Sequence, residues 1–371
     1  MALFSKLDST LPPSTGWEEL KEPGEDKLFE QYGHRIEAQQ REVAKRKKDE
    51  PLRRGFHAKT HAGLIAEFQV LADLPAHARF GVFSEPRVFP ALVRFSNGKP
   101  DRNPDKGHEP RGIAIKLVGV PGPKLLKAQR DAVTQDFLAT SHSVTSTVRN
   151  VGQFMAFIDA GQKGVKMPFG LARAVGFGES VRILYGLVRT VLLSKVRSMV
   201  TEQFSSTAPI KVGPYAVKFT VRPADGTEKT TKTKRPLEDD FLLKELADRL
   251  RKRDVVLDFL LQFYVSNQYT PIEDTSVHWK SVHAPFLKVA QVRILSCDLD
   301  NDARARKVSK AVDRLAFTPW HATEDHRPLG NVMRARQIAY LASSDLRGHD
   351  PEPTSLTEDD RFAPPANGSS A

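Results

Sequence analysis

The residues best suited to chemistry are few and far apart in the chain. Tyr340 ends the run Arg336-Gln337-Ile338-Ala339-Tyr340, which follows Pro328-Leu329-Gly330. The glycine and the run after it predict a helix from about residue 330 to 340. Arg336 lies one helical turn before Tyr340, so the two side chains share a face. A free phenol has a pKa of about 10 and needs a nearby cation to ionise at neutral pH. Arg336 is placed to be that cation, and a phenolate so held is a hard anionic donor suited to ferric iron. Taken alone, an Arg-x-x-x-Tyr pair also fits the surface of an ordinary helix.

A second group lies near the start of the chain, in Arg54-Gly55-Phe56-His57-Ala58-Lys59. His57 is the natural general acid/base there. His57 and His61, four apart, would share a helix face and suit zinc, but no acidic residue lies between them and no third ligand suggests itself. Phosphate-cradling Gly-x-x-x-x-Gly-Lys, H-E-x-x-H, C-x-x-C and G-x-S-x-G patterns are all missing.

Composition narrows the field further. The chain has 371 residues, 40% apolar and 27% charged, enough for one large domain or two ordinary ones. A single cysteine, Cys297, excludes an internal disulfide framework and a thiol-rich metal site. The first fifteen residues carry no apolar stretch behind a basic start, so no secretory signal is expected and the cytoplasm is the default compartment. The net charge of +11 would attract anionic partners. Without zinc-finger ligands or the aromatic pattern of an RNA-binding sheet, nucleic acid is not expected as one.

These residues need a scaffold, and the hydrophobic pattern suggests one. Residues 1–50 read as an N-terminal arm, broken by Pro and Gly and then helical and polar from residue 25 to 48. Short β-like runs follow at 64–72, 91–95, 112–120 and 135–140. The stretch 153–204 is helical. More strands are expected at 215–221, 255–266 and 288–295, with helices at 237–253 and 301–315. The tail 351–371 has a disordered composition, leaving 51–350 as the main domain. Strand groups without a βαβ rhythm argue for an antiparallel α+β architecture. The segment from Ser180 to Val200 mixes Val, Ile and Leu with Arg and Lys. It reads either as a half-buried helix or as a basic amphipathic helix meeting a membrane surface.

In order along the chain stand Arg54 to Lys59, Val93-Arg94-Phe95-Ser96, Glu109-Pro110-Arg111-Gly112, Val148-Arg149-Asn150 with Phe154, and Arg336 to Tyr340. This series resembles the haem catalase superfamily, in particular its shorter, catalase-related members, from about Arg53 to Leu346. The resemblance implies an antiparallel β-barrel of about eight strands with helices packed around it, and a haem b whose iron is bound by Tyr340. It implies that His57 moves a proton on a bound peroxide, that Ser96 fixes the tautomer of His57, that Arg54 and Arg94 hold the propionates, and that Phe154 stacks on the porphyrin.

Three departures bear on the reaction. Phe56 stands where the family has Val. The family's distal Asn aligns with Thr140 or Ser141, neither of which offers an amide. The chain continues only briefly past Tyr340, so no NADPH is expected. The resemblance therefore favours organic or fatty-acid hydroperoxides as substrates, by a peroxidase cycle or by rearrangement or cleavage. A hydrogen-peroxide catalase and a membrane-peripheral haem binder with little activity are the alternatives. A homo-oligomer, with the N-terminal arm embracing a neighbour, is also expected.

Overall fold

The computed structural model describes residues 10–48, 51–141, 146–161, 166–188, 196–227 and 238–356. Nine antiparallel strands form its centre: β1 (Thr60–Val70), β2 (Val88–Asn97), β3 (Arg111–Val118), β4 (Thr134–Ser141), β5 (Phe204–Ser205), β6 (Ile210–Val212), β7 (Tyr215–Pro223), β8 (Val255–Phe263) and β9 (Leu287–Ile294). Each of β1–β4 pairs with the next, β4 pairs with the two-residue β5, β5 with β7, and β7, β8 and β9 lead back to β1. Eight strands thus close a ring, and β6 adds a hairpin edge to β7. Closure leaves no sheet edge among the eight, as a barrel requires. The expected barrel is present. The expected strands lie within a few residues of their predicted places; β5 and β6 were too short to carry a period.

Alternation decides what faces inward. Ala62, Leu64, Ala66, Phe68 and Val70 of β1, with Phe89, Ala91, Val93 and Phe95 of β2, belong to the buried barrel core. Phe68, Phe137, Phe219 and Phe259 meet there, the last two stacked at 5.0 Å between centroids. The barrel is therefore filled with side chains, and a cofactor must sit outside it.

Helices supply the outer wall. Helix α1 (Glu25–Lys47) has acidic residues in its first turn and basic ones in its last, which suits the helix dipole. It buries Phe29, Gly33, Ile36, Gln40 and Val43, one stripe at helical spacing. Three helices, α2 (Val151–Gly161), α3 (Met167–Val175) and α4 (Phe177–Leu187), occupy the predicted helical stretch only as far as Leu187; residues 189–195 lie outside the described residues, and 196–203 are turns and coil that lead into β5. Then come α5 (Phe241–Lys252), α6 (Ala303–Arg314) and α7 (Asn331–Arg347). Helix α1 packs on α7 so closely that a Cβ on Gly33 would come within 2.9 Å of Ile338. The N-terminal segment thus lies against the helix that carries Tyr340.

The start of α7 is pinned by charge. Arg334 meets Glu19, Glu25 and Glu273 at 2.6–3.1 Å, and Glu273 also accepts the Asn331 backbone N–H at 2.6 Å. On the barrel's outer face the fully buried Lys116 lies 2.7 Å from both Asp136 and Glu352. Asp136 also accepts the Thr318 N–H, which ties the loop after α6 to the strand. Residues 351–356 of the predicted tail are described and residues 357–371 lie outside the described residues. No helix among the described residues is long and apolar enough to cross a membrane.

Three buried histidines away from Tyr340 make folding sensitive to acid. Burial lowers His61 to about 4, His321 to about 3 and His326 to about 4. The Nε2 of His326 accepts the Val82 N–H at 2.9 Å and so must stay unprotonated. Below the unfolded value of about 6.5, the unfolded chain takes up protons that the native state refuses, so stability falls with pH down to the folded pKa. Asp136, raised to about 7 by burial against the pull of Lys116, works in the opposite sense as one group against three. The unfolding free energy should therefore drop on the order of 1 kcal/mol per pH unit per histidine between about pH 6.5 and pH 5. Denaturant titrations across that range check this, and His326→Gln should shallow the slope.

Candidate cofactor and active site

The register of β2, β3 and β4 builds one wall of the site. Ser96 pairs with Gly112, and Gly112 with Thr140, so these three residues form a row across the barrel's outer face. The next row is Arg94, Ala114 and Leu138. At Gly112 the row has a hole: a Cβ there would fall 2.5 Å from His57 Nδ1 and 2.9 Å from Ser96 Oγ. The His57 imidazole lies over that gap, its Nδ1 3.0 Å from Ser96 Oγ. Ser96 thus occupies one ring nitrogen and leaves Nε2 for a ligand.

His57 holds an unusual backbone, with φ of 57°, in the left-handed region that costs a non-glycine residue on the order of 1 kcal/mol or more. Neighbours fix it there. Its N–H donates to Gly98 O at 3.2 Å, its carbonyl accepts from Arg94 Nη2 at 2.7 Å, and Ala58 N donates to Lys99 O. The helical zinc pair is overturned by this geometry. His57 sits in a loop, while His61 lies in β1 and meets Asn97 Oδ1 at 2.7 Å. No cluster of metal-ligating His, Cys, Asp or Glu occurs among the described residues.

Helix α7 forms the facing wall. Arg336 Nη2 donates to the Tyr340 hydroxyl at 2.8 Å, so the predicted pair is a real contact. Between the walls lies a cavity of about 100 Å³ that opens to solvent. His57, Ser96, Thr140, Arg54, Arg94, Arg336 and Tyr340 all line it. Phe56, Ala114 and Leu138 make its wall apolar around His57.

Two expected residues stand elsewhere. Ser141 does not line the cavity; its hydroxyl accepts the Arg111 N–H at 2.9 Å. The choice between two hydroxyls thereby falls on Thr140, which shares the outward row of Gly112. Phe154 lies behind Tyr32, edge-on at 5.7 Å, and Tyr32 meets the cavity in its place.

Other lining residues escaped the sequence reading. Arg347 follows Tyr340 by seven residues and shares its face of α7; the run Arg336, Tyr340, Ser343, Ser344, Arg347 carried that signal. Asp313 of α6 lies behind the wall, bonded to Arg54 at 2.9 Å and Arg94 at 3.2 Å. No sequence pattern announces it. Tyr32 and Ile36 come from α1.

Electrostatics in the cavity are one-sided. Four arginines and no carboxylate line it, and the single charge of the nearby Asp313 is shared between Arg54 and Arg94. Against burial, which would raise it, Arg94 and Arg54 hold the Asp313 carboxyl down, to about 2. The imidazole of His57 is lowered to about 3 by burial and by Arg94, Arg336 and Arg54, so it is neutral at physiological pH. Burial also pushes the Tyr32 phenol up, with Tyr340 adding to the rise. Arg347 has a buried Nε with no hydrogen-bond partner among the described residues. A cavity with surplus guanidinium charge, an orphaned N–H and an arginine-bonded phenol suits a flat apolar group that carries two carboxylates and a metal. Haem has that make-up, and these residues fit it.

No family model matches the sequence, and no curated protein matches it. Solved structures do. A fungal catalase is similar at a TM-score of 0.62 with 17% identity, over 82% of this chain and 62% of that one. Catalase A from Saccharomyces cerevisiae gives 0.61 and 16%, over 82% and 63%. A bacterial catalase gives 0.58 and 16%, over 82% and 59%. The chain has the catalase fold. It spans about three fifths of the length of these catalase chains. At this identity the likeness fixes the architecture, and within the catalase fold the cavity residues must make their own case.

Gly112 gives the sharpest check on the geometry. Gly112→Ala should displace the imidazole, lower the unfolding free energy by about 1–3 kcal/mol, and shift the nitrogen NMR resonances of His57 away from those of the Ser96-bonded ring. Unchanged resonances would place His57 off this wall.

Proposed function

We propose that this chain is a haem-dependent enzyme that acts on organic hydroperoxides. The observation that carries this reading is the make-up of the His57 wall, where a neutral imidazole held by Ser96 and the Thr140 hydroxyl stand beside Phe56, Ala114 and Leu138. Tyr340, with Arg336 donating to it, would be the iron ligand. Arg54, Arg94 and Arg347 would hold the propionates, Arg347 with its unpartnered Nε. When bound, haem supplies the iron at which a peroxide O–O bond is broken.

The chain's own residues define what reaches that place. His57, neutral and fixed by Ser96, can accept the proton of a hydroperoxide and return it to the departing oxygen as general base and acid. Thr140 offers a hydroxyl to the same substrate. A hydroxyl can donate one hydrogen bond, whereas an amide NH₂ can donate two, so a small polar peroxide gains less here than at an asparagine. Phe56, Ala114 and Leu138 instead offer contact to an alkyl group, and that contact favours the larger hydroperoxide. Whether the product comes from a peroxidase cycle or from rearrangement depends on the reductant and substrate supplied.

The test is steady-state turnover of the haem-loaded protein on hydrogen peroxide, cumene hydroperoxide and a fatty-acid hydroperoxide. We expect kcat/KM on the organic substrates to exceed that on hydrogen peroxide by at least about tenfold, and His57→Ala to abolish the difference. Vigorous oxygen release from hydrogen peroxide with little organic turnover would support a catalase instead.

A further inference from the structure

Seven large apolar side chains are strongly exposed among the described residues; four of them fall in α3 and α4, and a fifth, Val188, directly follows α4. Phe169 is 81% exposed and Phe177 79%, with Val181 at 49%, Tyr185 at 65% and Val188 at 44%. From Phe177 the positions advance by four, eight and eleven residues, which at about 100° per residue keeps the three α4 side chains and Val188, whose backbone is still helical, within one sector of about 80°. This stripe is not needed to hold the helices in place. Leu171 and Ile183 are fully buried in a cluster with Val148 and Ala160, so each helix already has an apolar face turned to the body. The exposed side chains form a second apolar face that the fold leaves uncovered.

The sequence here is biased in charge: residues 161–200 contain seven Lys or Arg, three of them (Lys163, Arg189 and Lys195) outside the described residues, and one carboxylate, Glu179. Glu179 is taken up within the body, 2.6 Å from Arg182 and 2.9 Å from Arg149. Lys166, at the start of α3, and Arg173, one turn after Phe169, are exposed. Residues 189–195, part of the sequence segment first singled out, lie outside the described residues; the exposed apolar stripe begins before it, at Phe169.

We infer that the α3–α4 hairpin is a docking surface for an anionic lipid bilayer. Exposed aromatic and aliphatic side chains bordered by cations match an interface with apolar acyl chains beneath anionic headgroups. A second copy of this chain fits less well. A two-fold interface brings the same patch against itself, so Lys166 and Arg173 would face their own counterparts with no carboxylate to answer them. The inference stands apart from the haem reading, because none of these side chains lines the cavity.

Vesicle co-sedimentation of the full chain tests it, with phosphatidylcholine alone and with phosphatidylcholine containing phosphatidylglycerol. Binding should be strong only to the anionic vesicles and should weaken with salt. Phe169→Ser with Phe177→Ser should cut partitioning at least about tenfold. Lys166→Glu with Arg173→Glu should remove the preference for anionic lipid. These positions are exposed, so both double variants should melt with the wild type. Binding to neither vesicle would overturn the inference. So would anionic binding untouched by both variants, or a dimer on sedimentation velocity that the Phe variant dissolves.

Discussion

The cavity is arranged about one contact, the Arg336 guanidinium donating to the Tyr340 hydroxyl at 2.8 Å. The hydrogen bond fixes the phenolic oxygen and a guanidinium side by side at the cavity wall. The contact requires α7 to stay in place against the barrel. Arg334, on the other side of the helix, gathers Glu19, Glu25 and Glu273 around the helix start, and α1 packs along α7 at the Gly33–Ile338 approach. Removing Arg334 would leave three carboxylates without their shared cation, which makes this cluster a structural part of the site although it touches no cavity.

Across the cavity the constraint is of another kind. A strand residue without a side chain, Gly112, lets an imidazole lie against the sheet between Ser96 and the cavity. Burial and the surrounding arginines lower the pKa of that ring, and the arginines' own charge is left largely unanswered within the cavity.

Much of this was legible in the sequence. Periodicity gave seven of the eight barrel strands, because each is long enough for inward and outward residues to alternate. The two-residue β5, which closes the ring, carries no such pattern. Arg336–Tyr340 was readable because helix spacing is local, and Arg347 carried the same local signal two turns on. Asp313, Tyr32 and the Arg334 cluster arise from contacts between segments hundreds of residues apart, where spacing says nothing. The choice of Thr140 over Ser141 needed the strand register, and Phe154 was displaced because a ring from α1 stands before it.

The central claim is that Tyr340 is the ligand of a haem iron. Titrating the haem-free protein with haemin, followed by the Soret band, tests it most directly. The wild type should saturate at one haem per chain with the spectrum of a phenolate-ligated ferric haem. Tyr340→Phe should lose that spectrum and weaken binding while keeping the wild-type fold by circular dichroism. An identical spectrum and endpoint in Tyr340→Phe, or no haem taken up by the wild type, would contradict the claim.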